Sequence, residues 1–330
     1  MPENGTVRRA LLSWLIGFVL LIAAFFATVA VLNSTVYSAH GFASSYLDAL
    51  NRHDATTARE LPGVRAPSGV ATNLLTDGAL GTIADIHLEH DTATSQSGIH
   101  SVEYSYKLGT RRETSTFSIV QTRSYLGLFS RWAFEKSPLA TVSVAATHDP
   151  RFRVNGTNVV STVKRTQSQP YVVFAPGLYN FDLKTTYLIA TPVSVPVTEP
   201  ASVTPVRVEA EANKTFVNEV RTELHKYYIT CASQTVLLPT ACPFGKSFSN
   251  RVVSTPAWSM VTDPPVTVVP DHTSGDWLVP TSKGTAHLVV KVQSLFDGSI
   301  STFNADVPFQ VSYTITIDPN NHLTITSLYG

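Results

Sequence analysis

The chain has 330 residues, of which 24 are Lys or Arg and 24 are Asp or Glu, so its formal net charge is zero. A neutral chain has no overall basic charge with which to attract nucleic acid or anionic lipid, and we expect no nucleic-acid partner. Only 15% of the residues are charged, against about 25% in typical soluble proteins, which favours strands that are polar without being charged.

The N-terminal region predicts a membrane span. Residues 10–32 form 23 consecutive uncharged positions. At a helical rise of about 1.5 Å per residue, such a run crosses a hydrocarbon core of about 30 Å. Arg8 and Arg9 precede the span directly and no Lys or Arg follows until Arg52, so the positive-inside rule places residues 1–9 in the cytoplasm. We therefore predict a single-pass protein of the cell membrane whose C-terminal domains are extracytoplasmic.

A cleaved signal peptide is the alternative, because Val36-Tyr37-Ser38 loosely fits a small-residue cleavage site. The apolar run is longer than the h-region of about 7 to 15 residues that signal peptides carry, which favours an uncleaved signal-anchor. Under either interpretation the remainder of the chain leaves the cytoplasm.

Residues 36–146 predict an α+β domain. Apolar residues from Ala39 to Leu50 recur at helical spacing, and Asp54 is placed to cap a short second helix. Alternation with a period of two then predicts strands near residues 84–89, 102–108, 116–122 and 126–134. A helix followed by antiparallel strands indicates a helix packed on a sheet.

Residues 147–205 predict a small all-β domain, because turn signals such as Asn155-Gly156 separate alternating segments. Its last strand carries several prolines, at positions 192, 196, 200 and 205. Since proline is confined to sheet edges and stiffens linkers, this strand is predicted to be an edge that leads into a Pro-rich linker.

Residues 206–330 predict a second α+β domain. An apolar stripe from Phe216 to Cys231 predicts a long helix with Asn213 as its cap. Strands follow near residues 257–269, 285–295, 307–317 and 323–328. The predicted fold class is therefore α+β, with an N-terminal transmembrane helix and then two helix-plus-sheet domains that flank the all-β domain.

Cys231 and Cys242 are the two cysteines of the chain. Both lie in the translocated part, where oxidation is permitted, and we predict a disulfide between them. Closing so short a loop stabilises by roughly 2.5 to 3 kcal/mol on the chain-entropy estimate. Two inert thiols or a metal site are the alternatives, but a metal needs further ligands, and no nearby Cys-x-x-Cys motif or histidine pair supplies them.

Several segments resemble bacterial envelope proteins. The sequence FASSYLDALNRHD, residues 42–54, resembles the opening of extracytoplasmic NTF2-like (cystatin-like) domains of Gram-positive bacteria, which implies a curved antiparallel sheet in the α+β domains. Three stretches, at 126–139, 231–245 and 292–301, resemble an uncharacterised group of membrane-anchored actinobacterial envelope proteins. Asn155-Gly156 followed by residues 175–179 is similar to PEGA-like β modules. These resemblances imply no transferable activity.

The sequence contains no Gly-rich dinucleotide loop, Walker loop, nucleophile elbow or zinc-protease motif, so we predict no catalytic residue and no cofactor. The best cluster of metal-ligating residue types is Asp85, His87, Glu89, His90 and Asp91. On a strand, His87 shares a face with Asp85 and Glu89 while His90 points the other way, so one ion meets at most three side chains. A solvated face of an edge strand is the favoured interpretation, and no metal is predicted.

NTF2-like folds can hold a pocket in the cone between helix and sheet, and Tyr46, Asp85, Tyr104 and Tyr106 are the candidate pocket residues of the first domain. Their spacing equally describes a core in which the tyrosine hydroxyls are hydrogen-bonded, which is the favoured interpretation.

A second open choice concerns the apolar set Leu128, Phe129, Trp132 and Phe134. We interpret it as a bulged hairpin, with an exposed anchor for a partner or a membrane as the alternative.

These observations favour a non-catalytic binding or assembly protein of the cell envelope. Its N-terminal helix would hold it in the membrane, and it would engage a protein or a cell-wall or lipid component. The alternative is a small-ligand receptor or an enzyme that uses the cone of the first domain. A pocket with convergent polar groups would favour that alternative, and a cone filled by Phe42, Tyr46 and Trp132 would contradict it.

Overall fold

The computed structural model describes residues 4–96, 98–125, 127–164, 167–271, 273–318 and 320–328, with backbone alone for residues 4–10 and Tyr125. The described chain is a mixed α+β fold in which strands outweigh helices. Arg8 and Arg9, on which the predicted orientation depends, have side chains outside the described part.

The N-terminal helix α1 (Asn4–Ser34) contains a candidate membrane span of 24 residues, Leu11–Ser34. Nearly all of its side chains are exposed, including Trp14 at 79%. An apolar helix of this length that packs against so little of the protein is suited to a hydrocarbon environment, since all of its main-chain groups bond within the helix. The structure confirms the predicted apolar helix, which supports a single-pass anchor.

The first unit begins with two capped helices. In α2 (Ala39–Asn51) the Ser38 hydroxyl accepts a hydrogen bond from the Gly41 N–H at 3.0 Å. In α3 (Ala55–Glu60) the predicted cap is confirmed, since Asp54 accepts from the Thr57 N–H at 2.9 Å. An antiparallel sheet follows in the order β1-β2-β3-β4, with β1 (Ala84–Ala93), β2 (Ile99–Leu108), β3 (Arg111–Tyr125) and β4 (Phe129–Phe134).

The middle unit contains two sheets around one core. Five strands pair in the order β12-β10-β9-β6-β7, namely β6 (Arg151–Val154), β7 (Thr157–Val160), β9 (Gly177–Lys184), β10 (Leu188–Val197) and β12 (Glu211–Ala212). Three strands pair in the order β11-β5-β8, namely β5 (Leu139–Thr147), β8 (Gln169–Phe174) and β11 (Val203–Glu209). Val142 of the smaller sheet and Phe181 of the larger one lie in the same buried cluster.

The predicted end of the first domain at residue 146 does not coincide with the end of its sheet. The first sheet ends at Phe134, and β5 pairs antiparallel with β8 and parallel with β11. Alternate residues of β5, such as Val142 and Val144, are completely buried in the core of the middle unit. The apolar face of β5 therefore assigns residues 140–147 to the middle unit, whereas Leu139 lies in the core of the first unit.

The prediction of a stiff linker is wrong for residues 203–205, because they begin strand β11, which continues to Glu209. Pro205 is accommodated because β11 is the edge of its sheet. The predicted edge character of the preceding strand is confirmed, since β12 pairs only with Leu188 and Ile189 of β10. Beyond these two residues the side of β10 away from β9 is open in the described chain.

The third unit consists of helix α4 (Lys214–Ala232) and a sheet built on a long hairpin, β16 (Trp277–Gln293) with β17 (Ile300–Ile317). The short strands β13 (Arg251–Val252), β14 (Ala257–Thr262) and β15 (Val269–Pro270) pair with successive parts of β16, and β18 (Leu323–Ser327) pairs with β17. The predicted cap of α4 is confirmed, because the Asn213 side chain accepts from the Phe216 N–H at 3.0 Å.

The middle and third units share one continuous core. The Phe216 ring centroid lies 5.5 Å from that of Tyr187 in the middle unit and 5.6 Å from that of Trp277 at the start of β16. The first unit has its own core, to which Val172 and Phe174 of β8 contribute. The three units are therefore packed against one another rather than joined by linkers.

Candidate functional site

The cone of the first unit is filled by aromatic side chains. Tyr46 is fully buried, and its ring centroid lies 5.2 Å from that of Phe134, 6.1 Å from Phe117 and 6.4 Å from Phe174. Its hydroxyl lies 3.0 Å from the carbonyl oxygen of Ala175 and is therefore already hydrogen-bonded. No room remains at Tyr46 for a ligand.

The other three candidate pocket residues do not converge with Tyr46. Tyr104 donates to the His40 carbonyl oxygen at 2.8 Å, and the Tyr106 hydroxyl bonds that of Ser115. Burial raises the pKa of both Tyr104 and Tyr106 to about 12, so both are neutral near pH 7. Asp85 lies on the exposed edge strand β1 and pairs with Lys107 at 2.6 Å.

The acidic and histidine side chains of strand β1 contact separate partners. His90 lies 3.4 Å from Glu103, whereas Asp91 accepts from His40 at 2.9 Å and from His100 at 2.7 Å. Within the described residues, no three His, Cys, Asp or Glu side chains are grouped as metal ligands. These contacts join β1 to α2 and β2.

The apolar set of β4 lies partly in the core and partly against the end of the anchor helix. Phe134 is buried, whereas the indole N–H of Trp132 donates to the Tyr37 carbonyl oxygen at 2.7 Å. Asn33, near the end of α1, donates to the Leu128 carbonyl oxygen at 2.7 Å and accepts from the Ser130 N–H at 3.1 Å. The strand therefore holds the anchor helix to the first unit.

An open groove lies in the third unit, between helix α4 and strands β17 and β18. Its volume is about 350 Å³, and its lining residues are Glu223, Leu224, Tyr227, Tyr313, Leu323, Ile325 and Ser327. On β18 the lining positions 323, 325 and 327 alternate with the exposed Thr324 and Thr326. Since side chains of a strand alternate between faces, one face of β18 forms the wall of the groove.

The tyrosines at the groove are held by hydrogen bonds and are neutral. The hydroxyls of Tyr228 and Tyr313 lie 3.1 Å apart, and Tyr227 donates to the Ala241 carbonyl oxygen at 2.6 Å. Burial raises the pKa of Tyr313 to about 12 and that of Tyr228 further. Glu223, at the rim, is paired with Lys226 at 2.7 Å. The groove is therefore suited to packing apolar groups rather than to proton transfer.

The predicted disulfide is confirmed and lies beside this groove. Cys231, at the end of α4, is bonded to Cys242 with a Cα–Cα distance of 5.7 Å. The bond holds the following loop close to the helix, where Tyr227 contacts Ala241. The disulfide thereby stabilises one wall of the groove.

A second depression of about 450 Å³ lies between the β2–β3 hairpin and strands β9 and β10. Its lining includes the exposed Arg111, the half-buried Glu113 and Pro196 of the open edge of β10. Charged side chains of both signs line this depression, whereas the groove at α4 has a single charged lining residue, Glu223.

No sequence pattern pointed directly to the groove, because its residues come from α4, β17 and β18. The alternation of Leu323 and Ile325 predicts one apolar face, but a face of this kind usually lies in a core.

No protein-family model, curated protein or solved structure shows a significant match to the chain.

Proposed function

We propose that this chain is a membrane-anchored, extracytoplasmic, non-catalytic binding and assembly protein of the cell envelope. It engages an apolar group of a protein or envelope partner through the groove between α4 and β18. The single observation that supports this most is the contrast between the two helix–sheet units. The first is filled by Tyr46 and its aromatic neighbours, whereas the third leaves an apolar groove of about 350 Å³ open. Clefts of this size and lining are typical of binding sites.

The proposed location has two supports. The apolar helix α1 fits a membrane span, and the basic pair Arg8 and Arg9 before it favours a cytoplasmic N-terminus. The disulfide between Cys231 and Cys242 fits an oxidising compartment outside the cytoplasm. With this orientation, protease added to intact spheroplasts digests the C-terminal part of the chain, whereas a cytoplasmic C-terminus is protected.

We also propose that the first and third units are NTF2-like domains of an actinobacterial envelope protein and that the middle unit is a PEGA-like module. The order of elements supports this, because a capped helix precedes an antiparallel sheet in both flanking units. The filled first cone argues against an enzyme that works in that domain.

The function is tested by native mass spectrometry of the full chain released gently from its own membranes. A bound component is expected on the natural chain and lost from Ile325→Asp, which places a charge in the apolar groove. Thr326→Asp is the matched control, since it adds the same charge on the exposed face of the same strand. A chain that carries no component, or one whose component survives Ile325→Asp, contradicts the proposal.

A further inference from the structure

Strand β18 is an unprotected sheet edge. It contains no charged residue and no proline, its sequence being LTITS. It is the last strand of its sheet, with β17 as its neighbour on the other side. Natural proteins commonly protect such edges with charges, prolines or very short strands, because an open edge pairs readily with another strand.

Most other sheet edges of the described chain have protection of this kind, whereas β14 (Ala257–Thr262), which pairs with β16, likewise contains no charged residue and no proline. Charged side chains lie on β1, prolines lie on β8, β10 and β11, and the strands β7, β12, β13 and β15 have four residues or fewer. Strand β4 carries Arg131 and contacts the end of α1, where the Ser130 N–H donates to the Asn33 side chain. A strand that lacks these features, as β18 does, has an edge that is open for pairing.

The main-chain groups of Leu323 and Ile325 face this open edge. The Leu328 N–H donates to the Ser312 carbonyl oxygen at 2.9 Å, and the Asp318 N–H donates to that of His322 at 3.0 Å. Bonded positions alternate along an antiparallel strand, so the even-numbered residues of β18 face β17 and the odd-numbered ones face away. A second strand therefore finds donors and acceptors in place at Leu323 and Ile325.

We propose that β18 pairs antiparallel with β18 of a second copy of this chain, around a two-fold axis at Ile325. The strand is nearly palindromic about that residue, so Thr324 lies opposite the partner subunit's Thr326 on the exposed face. On the groove face, Ile325 lies opposite the partner subunit's Ile325. The isoleucines meet each other and threonines meet threonines, which are favourable cross-strand pairs, while Leu323 lies opposite the partner subunit's Ser327 and no like charges oppose each other. The contact is isologous and closes at two copies.

The pairing also completes the groove. The wall that β17 and β18 form ends at β18, and the partner subunit's Ile325 extends this wall on the same face of a continuous sheet. The two grooves then form one trough between the two α4 helices. A shared trough rests on the proposed binding function of the groove, whereas the strand pairing does not. Confinement of two anchored chains in one membrane raises their effective concentration and favours the contact.

Cysteine crosslinking of the full chain in its own membranes tests the pairing. Bonded residues directly opposite each other have Cα atoms about 5.5 Å apart, within the range of a disulfide. Ile325→Cys is therefore expected to give a covalent dimer under mild oxidation. Thr324→Cys is the matched control, because its two copies lie diagonally, about 7 to 8 Å apart, and we expect about ten-fold less dimer. The natural cysteines are already paired with each other.

The register is tested with two exposed positions that leave the groove unchanged. Co-expressed Thr324→Cys and Thr326→Cys chains are expected to crosslink with each other, while each variant expressed alone gives about ten-fold less dimer. Equal crosslinking of all combinations, or none by any, overturns the proposal. A dimer without a bound component in native mass spectrometry supports the pairing and contradicts the binding function. A component bound to a chain that does not crosslink contradicts the pairing alone.

Discussion

The hydroxyl oxygen of Tyr46 lies 3.0 Å from the carbonyl oxygen of Ala175, which joins helix α2 of the first unit to the end of β8 in the middle unit. A second carbonyl oxygen, that of Pro138, lies 3.1 Å from the same hydroxyl. Burial raises the pKa of Tyr46 well above its usual value, so the phenol remains a donor throughout the physiological range. A residue that was a candidate for a pocket thus connects two units.

Tyr46→Phe is expected to lower the free energy of unfolding by about 1 to 3 kcal/mol, because buried carbonyl groups lose their donor. The change is measured by urea unfolding of the detergent-solubilised chain. Tyr187→Phe is the control, since no described residue bonds its hydroxyl, and we expect a change within about 0.5 kcal/mol. Equal effects of the two substitutions would contradict a specific role of the Tyr46 hydroxyl.

Asn33→Ala is expected to loosen the anchor helix from β4. It removes two hydrogen bonds, to Leu128 and from Ser130, each contributing about 0.5 to 1.5 kcal/mol. Amide hydrogen exchange of residues 128–132 should then become faster by about ten-fold, because local opening governs exchange. Ser34→Ala serves as the control, since the Ser34 hydroxyl bonds only Val31 of the same helix among the described residues. Unchanged exchange in Asn33→Ala would show that other contacts hold α1 against β4.

Asp91 is expected to make stability depend on pH. Burial alone raises the pKa of its carboxyl group, but hydrogen bonds from His100 and His40 outweigh burial, and the pKa lies below the ordinary 3.8. The folded state therefore binds the proton less tightly than the unfolded state does. The stabilisation is fully present above about pH 4 and is lost as the pH falls through the folded-state pKa.

The measurement compares thermal unfolding midpoints of the natural chain and Asp91→Asn between neutral and acidic pH. The two midpoints should differ most near neutral pH and converge as the pH falls below the ordinary pKa of aspartate. Glu60→Gln, an exposed residue without a hydrogen bond to a described side chain, should follow the natural chain at every pH. A difference between the two midpoints that grows on acidification would contradict a lowered pKa of Asp91 in the folded state.

Replacing Cys231 and Cys242 together by Ala is expected to lower the free energy of unfolding by roughly 2.5 to 3 kcal/mol, because the unfolded chain regains the entropy of a short loop. Urea unfolding measures this change, and alkylation without reductant should leave both natural cysteines unlabelled. A labelled natural chain would show that the thiols are free. Because the disulfide lies beside the groove, the double variant should also retain less of the component bound there.

The elements that the sequence predicted best are those whose signals are local. The uncharged run of residues 10–32, the caps Asp54 and Asn213, and the alternation of 307–317 each determine structure within a few residues, and each is confirmed. The disulfide was predictable because the chain contains no other cysteine. Strand β5 was not foreseen, because its partners β8 and β11 lie about 30 and 60 residues further along the chain and pairing over such separations has no local signature.

The sequence by itself determined the N-terminal apolar helix, the α+β class, the positions of most strands and the disulfide, because periodicity, capping and cysteine count act over short distances. The tertiary structure alone decided which helix–sheet unit is filled. Tyr46 and Tyr313 both lie in apolar patterns, yet the rings of Phe117 and Phe134 close the first cone, whereas α4 and β18 leave the third one open. Whether such a space is filled depends on side-chain volumes brought together from distant segments, and a sequence pattern records only which face each residue occupies.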